Sequence, residues 1–201
     1  MVFSRVFDAL FPSRCVGCSR TGGVFCAACR PQPAAARRLD GGPLPVAAAG
    51  RYAGVLRQAI LLYKRGRRDA GDALADLVAE RFASLLPPGA ILVPVPTTPG
   101  RRRARGFDQS ARLARALGAR TGLPVLLALA QVAGDAQRGR SRAARLTARD
   151  RFACTAPGLV AGARVVLVDD VMTTGATLRD CAAALARCGA VVEAAIVVAY
   201  A

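Results

Sequence analysis

The chain has no histidine and no tryptophan, and aromatic residues fill only 5% of its 201 positions. Without imidazole there is no histidine partner to draw a proton from a catalytic cysteine and none to complete a mixed metal site. Few rings means little obvious material for stacking a nucleobase. Acids are also scarce, 13 against 29 basic residues, and among the basic residues Lys64 is the only lysine. The resulting formal charge of +16 implies attraction to polyanions: nucleic acid, nucleotides, pyrophosphate or anionic lipid. Charge alone does not choose among them. Long apolar runs are missing too. The longest, residues 123–130 and 194–201, fall far short of the roughly 20 residues that span a bilayer. The amino terminus carries Arg5 and Asp8 inside its apolar stretch and shows no small-residue cleavage site, which argues against a signal peptide. The expectation is a soluble, cytoplasmic protein without a transmembrane segment, in a reducing compartment where disulfides explain cysteines poorly.

What is present divides the chain into three. Residues 1–30 are cysteine-rich with little core material, residues 31–45 are dense in Pro, Ala and Gly and read as a linker, and residues 46–201 alternate strand-like and helix-like segments. A 53% hydrophobic content is ample for a core. In the large part, strands are expected at 46–52, 90–95, 124–129, 164–168 and 190–199. Helices are expected at 56–63, 72–86, 109–120 and 176–188, where apolar residues recur at helical spacing. The polar stretches 100–105 and 138–151 read as loops, at least in part. Strands separated by helices imply an α/β fold with a mostly parallel sheet covered on both faces.

Cys15-Val-Gly-Cys18 and Cys26-Ala-Ala-Cys29 form two CxxC pairs separated by seven residues. Each CxxC turn points two sulfurs at one place, and two turns close a tetrahedron around Zn²⁺. Gly17 permits the tight turn. In the absence of histidine these four thiols are the closed metal set. Structural zinc is the first reading; a rubredoxin-like iron or a redox pair is the alternative. Cys154, Cys181 and Cys188 have no histidine to generate a thiolate, and Cys181 and Cys188 are expected to face the core together from one helix.

The most informative segment is VVLVDDVMTTGATL at 165–178. A buried strand ends in Asp169 and Asp170, and a short hydroxyl-rich loop then enters a helix. A helix start offers unpaired amides and partial positive charge, which suits phosphate. Gly175 and Ala176 let the backbone come close, while Thr173, Thr174 and Thr177 add donors. Adjacent acids can accept bonds from vicinal ribose hydroxyls. The segment lacks the GxGxxG of dinucleotide folds and the GKS/T of a Walker loop.

VVLVDDVMTTGATL resembles the ribose-phosphate motif of type I phosphoribosyltransferases. Together with the cysteine knuckle, the Lys64-centred LLYKRG and VPVPTTPGRRRARGFDQSARLA at 93–114, it is similar to the ComF/GntX family of competence-associated, phosphoribosyltransferase-like proteins. Two positions depart from that family's pattern: Asp108, where asparagine is usual, and Ala148, where asparagine is common. The resemblance implies a type I phosphoribosyltransferase-like sheet, with Asp169 and Asp170 on the ribose hydroxyls and Thr173–Thr177 on the 5′-phosphate of phosphoribosyl pyrophosphate. It also implies a pyrophosphate-side turn at 96–99, and a mobile basic segment at 101–105 beside it. Lys64, Arg101 and Arg105 are candidates for pyrophosphate or DNA phosphates, and Mg²⁺ would arrive with the pyrophosphate rather than in a protein cage.

Two functions follow as expectations. One is a ribose-phosphate-binding protein that helps handle imported single-stranded DNA in natural competence, alongside the uptake machinery; the arginines at 101–105 and 138–151 are compatible with tracking phosphates. The other is an active phosphoribosyltransferase with a nucleobase-like acceptor. The sequence offers no evident acceptor site and no acid at the first loop position, Thr173, so no catalytic residue is assigned.

Overall fold

The computed structural model describes residues 13–32, 37–38 (backbone only), 44–132 and 151–201. The apolar amino terminus, most of the 31–45 linker and most of the basic 138–151 stretch lie outside them. In chain order the elements are β1 (Arg37–Arg38), β2 (Pro45–Arg51), α1 (Gly54–Lys64), α2 (Arg68–Phe82), β3 (Ile91–Pro94), α3 (Pro99–Arg105) and α4 (Gln109–Thr121). There follow β4 (Leu129–Gln131), β5 (Phe152–Cys154), α5 (Pro157–Val160), β6 (Arg164–Met172), α6 (Ala176–Ala186) and β7 (Val191–Tyr200).

The main sheet has the order β1-β2-β7-β6-β3, with β2, β7, β6 and β3 mutually parallel and β1 antiparallel at one edge. Its strands are apolar on both sides, as a doubly covered parallel sheet requires. Successive residues of β6 go to opposite layers. Val166 and Val168 pack with Leu56, Ile60, Leu74, Leu113 and Leu117 of α1, α2 and α4. Val165 and Leu167 pack with Leu178, Cys181 and Leu185 of α6 and with Phe152 of β5. Each fully buried Val or Leu here contributes about 1.5–3 kcal/mol of transfer free energy. Close approach of α4 needs Gly118: a Cβ there would lie 2.8 Å from the Leu123 carbonyl oxygen.

Three expectations change. Residues 100–105 belong to a helix, α3. Their polarity hides the apolar period, but the punctuation is complete: the Thr98 hydroxyl accepts from Arg101 N at 3.2 Å, Pro99 fills the first turn, and Gly106 closes the end at φ 77°. The strand expected at 124–129 reduces to a single parallel bridge of Val125 with Leu92; the strand proper, β4, pairs antiparallel with β5 in a separate two-stranded sheet. And β6 does not end at its acids but runs through Asp169 and Asp170 to Met172, because Asp169, Val171 and Met172 still pair with β7.

The cysteine knuckle rests on α1 and α2. Val24 is buried in the same cluster as Leu56 and Ile60, the Ser13 hydroxyl donates to Asp69 Oδ2 at 3.0 Å, Arg30 pairs with Glu80, and Arg81 donates to the carbonyls of Pro31 and Ala49. A Cβ on Gly17 would lie 2.6 Å from Val55 Cγ1 and 2.9 Å from Cys29 Sγ, so absence of a side chain lets knuckle and helix meet.

Among the described residues no helix is long and apolar enough to cross a membrane.

Candidate functional site

A cleft of about 600 Å³ opens at the carboxyl ends of β2, β3, β6 and β7, the end of an open α/β sheet where ligands gather. One wall is the continuation of β6: Asp169, Asp170, Val171, and then Thr173 and Thr177 around the start of α6. The opposite wall is the turn Pro96-Thr97-Thr98 with Arg101 and Arg105 of α3. Lys64, at the end of α1, and Tyr52, just after β2, close one side; Gln131, Arg151 and Phe152 close the other. Thus Asp169, Asp170, Thr173, Thr177, Lys64, Arg101 and Arg105 come together in one cavity. Thr174, Gly175 and Ala176 do not line it. Gly175 holds the left-handed conformation (φ 72°) that turns the chain into α6, and no side chain caps that helix; Thr174 Oγ1 receives only a long 3.4 Å contact from Ala176 N.

The two acids have different neighbours. Asp170 Oδ2 lies 3.0 Å from Lys64 Nζ, so the single lysine of the chain is already paired with an acid. Asp169 Oδ1 accepts from the Ser110 hydroxyl at 2.7 Å and from Asp170 N at 2.8 Å. Removal from water, aided by the Asp170 charge, pushes the Asp169 carboxyl up to about 7 despite those bonds. Behind the cleft, the buried Tyr63 hydroxyl donates to the Gln109 carbonyl at 2.6 Å, and its ring meets Phe107 at 5.7 Å with Arg112 over both rings. Burial pushes the Tyr63 phenol well above its usual value, so it serves as a donor.

Ser110, Gln109, Tyr52, Gln131 and Phe152 are cleft residues that sequence reasoning did not single out, whereas Thr97 falls in the expected turn at 96–99 and Arg151 in the basic stretch 138–151. For Gln109 and Ser110 the sign appears only in the structure: two polar residues open α4 and yet are 2% and 3% exposed, an arrangement that demands polar partners inside. The others are brought in by tertiary folding alone.

The four knuckle sulfurs lie within 4.8 Å of one another, and Cys18 Sγ to Cys26 Sγ is 3.6 Å, close to the edge of about 3.8 Å that a tetrahedron with 2.3 Å bonds would have. The Cys26 and Gly17 amides point at Cys15 Sγ; the Cys26 amide first, and the others with it, bring that thiol down to about 6. The set therefore fits a metal ion such as zinc. Among the described residues it is the only group of three or more such ligands. Cys181 is in the core, and Cys188, just past the end of α6, packs against the same cluster while staying half-exposed beside Cys154.

A mostly parallel sheet with helices on both faces, and a cleft at its carboxyl edge framed by an acid pair and a threonine loop, is a phosphoribosyltransferase-like architecture. Residues 104–201, from the end of α3 onward, match the family described as phosphoribosyl transferase domain. No curated protein matches the chain. Two similar solved structures are described as the allosteric regulatory enzyme of purine biosynthesis and as glutamine phosphoribosylpyrophosphate amidotransferase from B. subtilis complexed with ADP and GMP. Each is 23% identical over 64% of this chain, with TM-scores of 0.48 and 0.47, and the match covers 26% of each of those chains.

Proposed function

We propose that the cleft binds a 5-phosphorylated ribose, phosphoribosyl pyrophosphate or a close relative, in a cytoplasmic protein whose knuckle carries structural zinc. One observation carries this reading: the acid pair and the threonine loop share a single cavity with Arg101 and Arg105 on the opposite wall. A 5′-phosphate fits the uncapped start of α6, where helix amides and the hydroxyls of Thr173 and Thr177 converge. The ribose hydroxyls fit Asp169 and Asp170. A second anionic group reaches the arginines, bringing Mg²⁺ with it, since no carboxylate cage stands among the described residues. Calorimetric titration tests this: phosphoribosyl pyrophosphate with Mg²⁺ binds the wild-type protein, and Thr177→Val weakens binding about tenfold, the size of one charge-assisted hydrogen bond. Equal affinity for wild type and variant overturns the assignment of the phosphate to this loop.

A role in handling single-stranded DNA is the second reading, favoured by α3. Arg101, Arg102 and Arg103 are exposed, and none of the α3 arginines has a carboxylate partner among the described residues. Phosphates would be neutralised by them with a strong salt dependence. Catalysis of phosphoribosyl transfer is supported by Tyr52, a ring lining the cleft that can stand beside a flat acceptor. Base-dependent release of pyrophosphate, lost in Asp170→Asn, is the result this reading requires.

A further inference from the structure

The head of α4 ties the two walls of the cleft together through three consecutive side chains. Ser110 holds Asp169. Gln109 Oε1 accepts from the Thr97 hydroxyl at 3.2 Å. Asp108 uses both carboxylate oxygens: Oδ1 accepts Ala111 N at 3.0 Å and caps α4, while Oδ2 accepts Thr97 N at 3.0 Å. The turn at 96–99 reads Pro-Thr-Thr-Pro, so only two of its four residues possess an N–H at all. One of the two is given to Asp108, which lines a separate hollow of about 360 Å³ behind the turn, not the cleft.

Gln109 supplies an independent sign that this wall is incomplete. It is 2% exposed and lines the cleft, yet Nε2 of its amide has no partner among the described residues. Whichever way the amide faces, one of its two ends is unmatched, and a buried polar end without a partner is costly.

Resting on the ribose-phosphate reading, we propose that Asp108 is a latch that withholds the Thr97 N–H from the ligand's second anionic group, making it a specificity-determining positioning residue. With the latch closed, the Thr97 end offers an anion the Arg101 and Arg105 side chains but not the Thr97 amide. It therefore favours a ribose carrying one phosphate over one that also carries pyrophosphate. A carboxylate suits this because each of its oxygens accepts one amide; in an asparagine one of the two positions is an NH₂, which cannot accept from Ala111 N or Thr97 N. The negative charge of Asp108 beside the turn acts in the same direction.

The test compares ribose 5-phosphate with phosphoribosyl pyrophosphate, both with Mg²⁺, by calorimetry on wild type, Asp108→Asn and Asp108→Ser. Serine keeps the helix cap but is too short to span both amides, so it decides the matter should the asparagine variant fail to fold. The latch predicts that the ratio of the two dissociation constants shifts about tenfold toward phosphoribosyl pyrophosphate in both variants, with ribose 5-phosphate nearly unchanged. A folded variant in which the ratio stays the same, or in which both affinities move together, overturns it. If wild type binds neither sugar phosphate, the ribose-phosphate reading fails and the latch with it; if ribose 5-phosphate binds and the ratio holds, only the latch fails.

Discussion

Asp169 and Asp170 are neighbours in the chain, and their surroundings set them to different tasks. Asp170 pairs with Lys64 at 3.0 Å, while Asp169 is pushed up to about 7 by burial and by Asp170. The folded chain thus keeps a proton on Asp169 that the unfolded chain gives up near the ordinary value of 3.8. Between about pH 4 and 7 the native state binds more protons, so stability falls as pH rises, by up to about 1.4 kcal/mol per unit. Asp169→Asn is expected to flatten that slope in melting curves taken at a series of pH values. Ser110→Ala, which removes a bond that favours the charged form, is expected to move the titration of Asp169 further upward, read from the pH profile of ligand affinity. The acid pair was plain in the sequence, since two carboxylates after four apolar residues have few structural uses. Their different partners were not, because Ser110 and Lys64 stand 59 and 106 positions away and only the fold brings them near.

At the scale of elements, the α/β alternation was legible because most helices and strands here carry strong apolar periods: α1, α2, α4 and α6 and the strands β2, β3, β6 and β7 all lie where the pattern puts them, to within a few residues. Elements written in caps and turns were not legible. Helix α3 has no buried residue, and β4 and β5 have three residues each, too few for any period to register. Two substitutions probe how elements hold one another. Tyr63→Phe deletes the hydroxyl that fixes the head of α4 through the Gln109 carbonyl, and is expected to cost about 1–2 kcal/mol in denaturant unfolding. Gly17→Ala drives a methyl toward Val55 and Cys29, and is expected to cost about 1–3 kcal/mol as an overpacking strain. It should also make the cysteine knuckle release its metal at lower chelator concentration.

For the whole molecule, the balance of +16 gives a field that draws any polyanion, and α3 concentrates part of it beside the cleft. Replacing Arg101, Arg102, Arg103 and Arg105 with glutamine is expected to weaken single-stranded DNA binding and to reduce the slope of log affinity against log salt by roughly 1 to 3. An unchanged slope would remove α3 from any account of DNA binding. The overall charge was evident from composition; that arginines of α3 share a cavity with the acid pair was foreseen only through the family resemblance, because chain order says nothing about which loops meet at a sheet edge.

The claim on which these readings depend is that the start of α6 grips a phosphate. The most direct measurement is a titration of ¹⁵N-labelled protein with ribose 5-phosphate, following backbone amides. The account predicts large shifts for the amides of Gly175, Ala176 and Thr177, saturating together with those of Asp169 and Asp170. Saturable binding that leaves these amides unmoved while signals of α3 or the knuckle shift would contradict it.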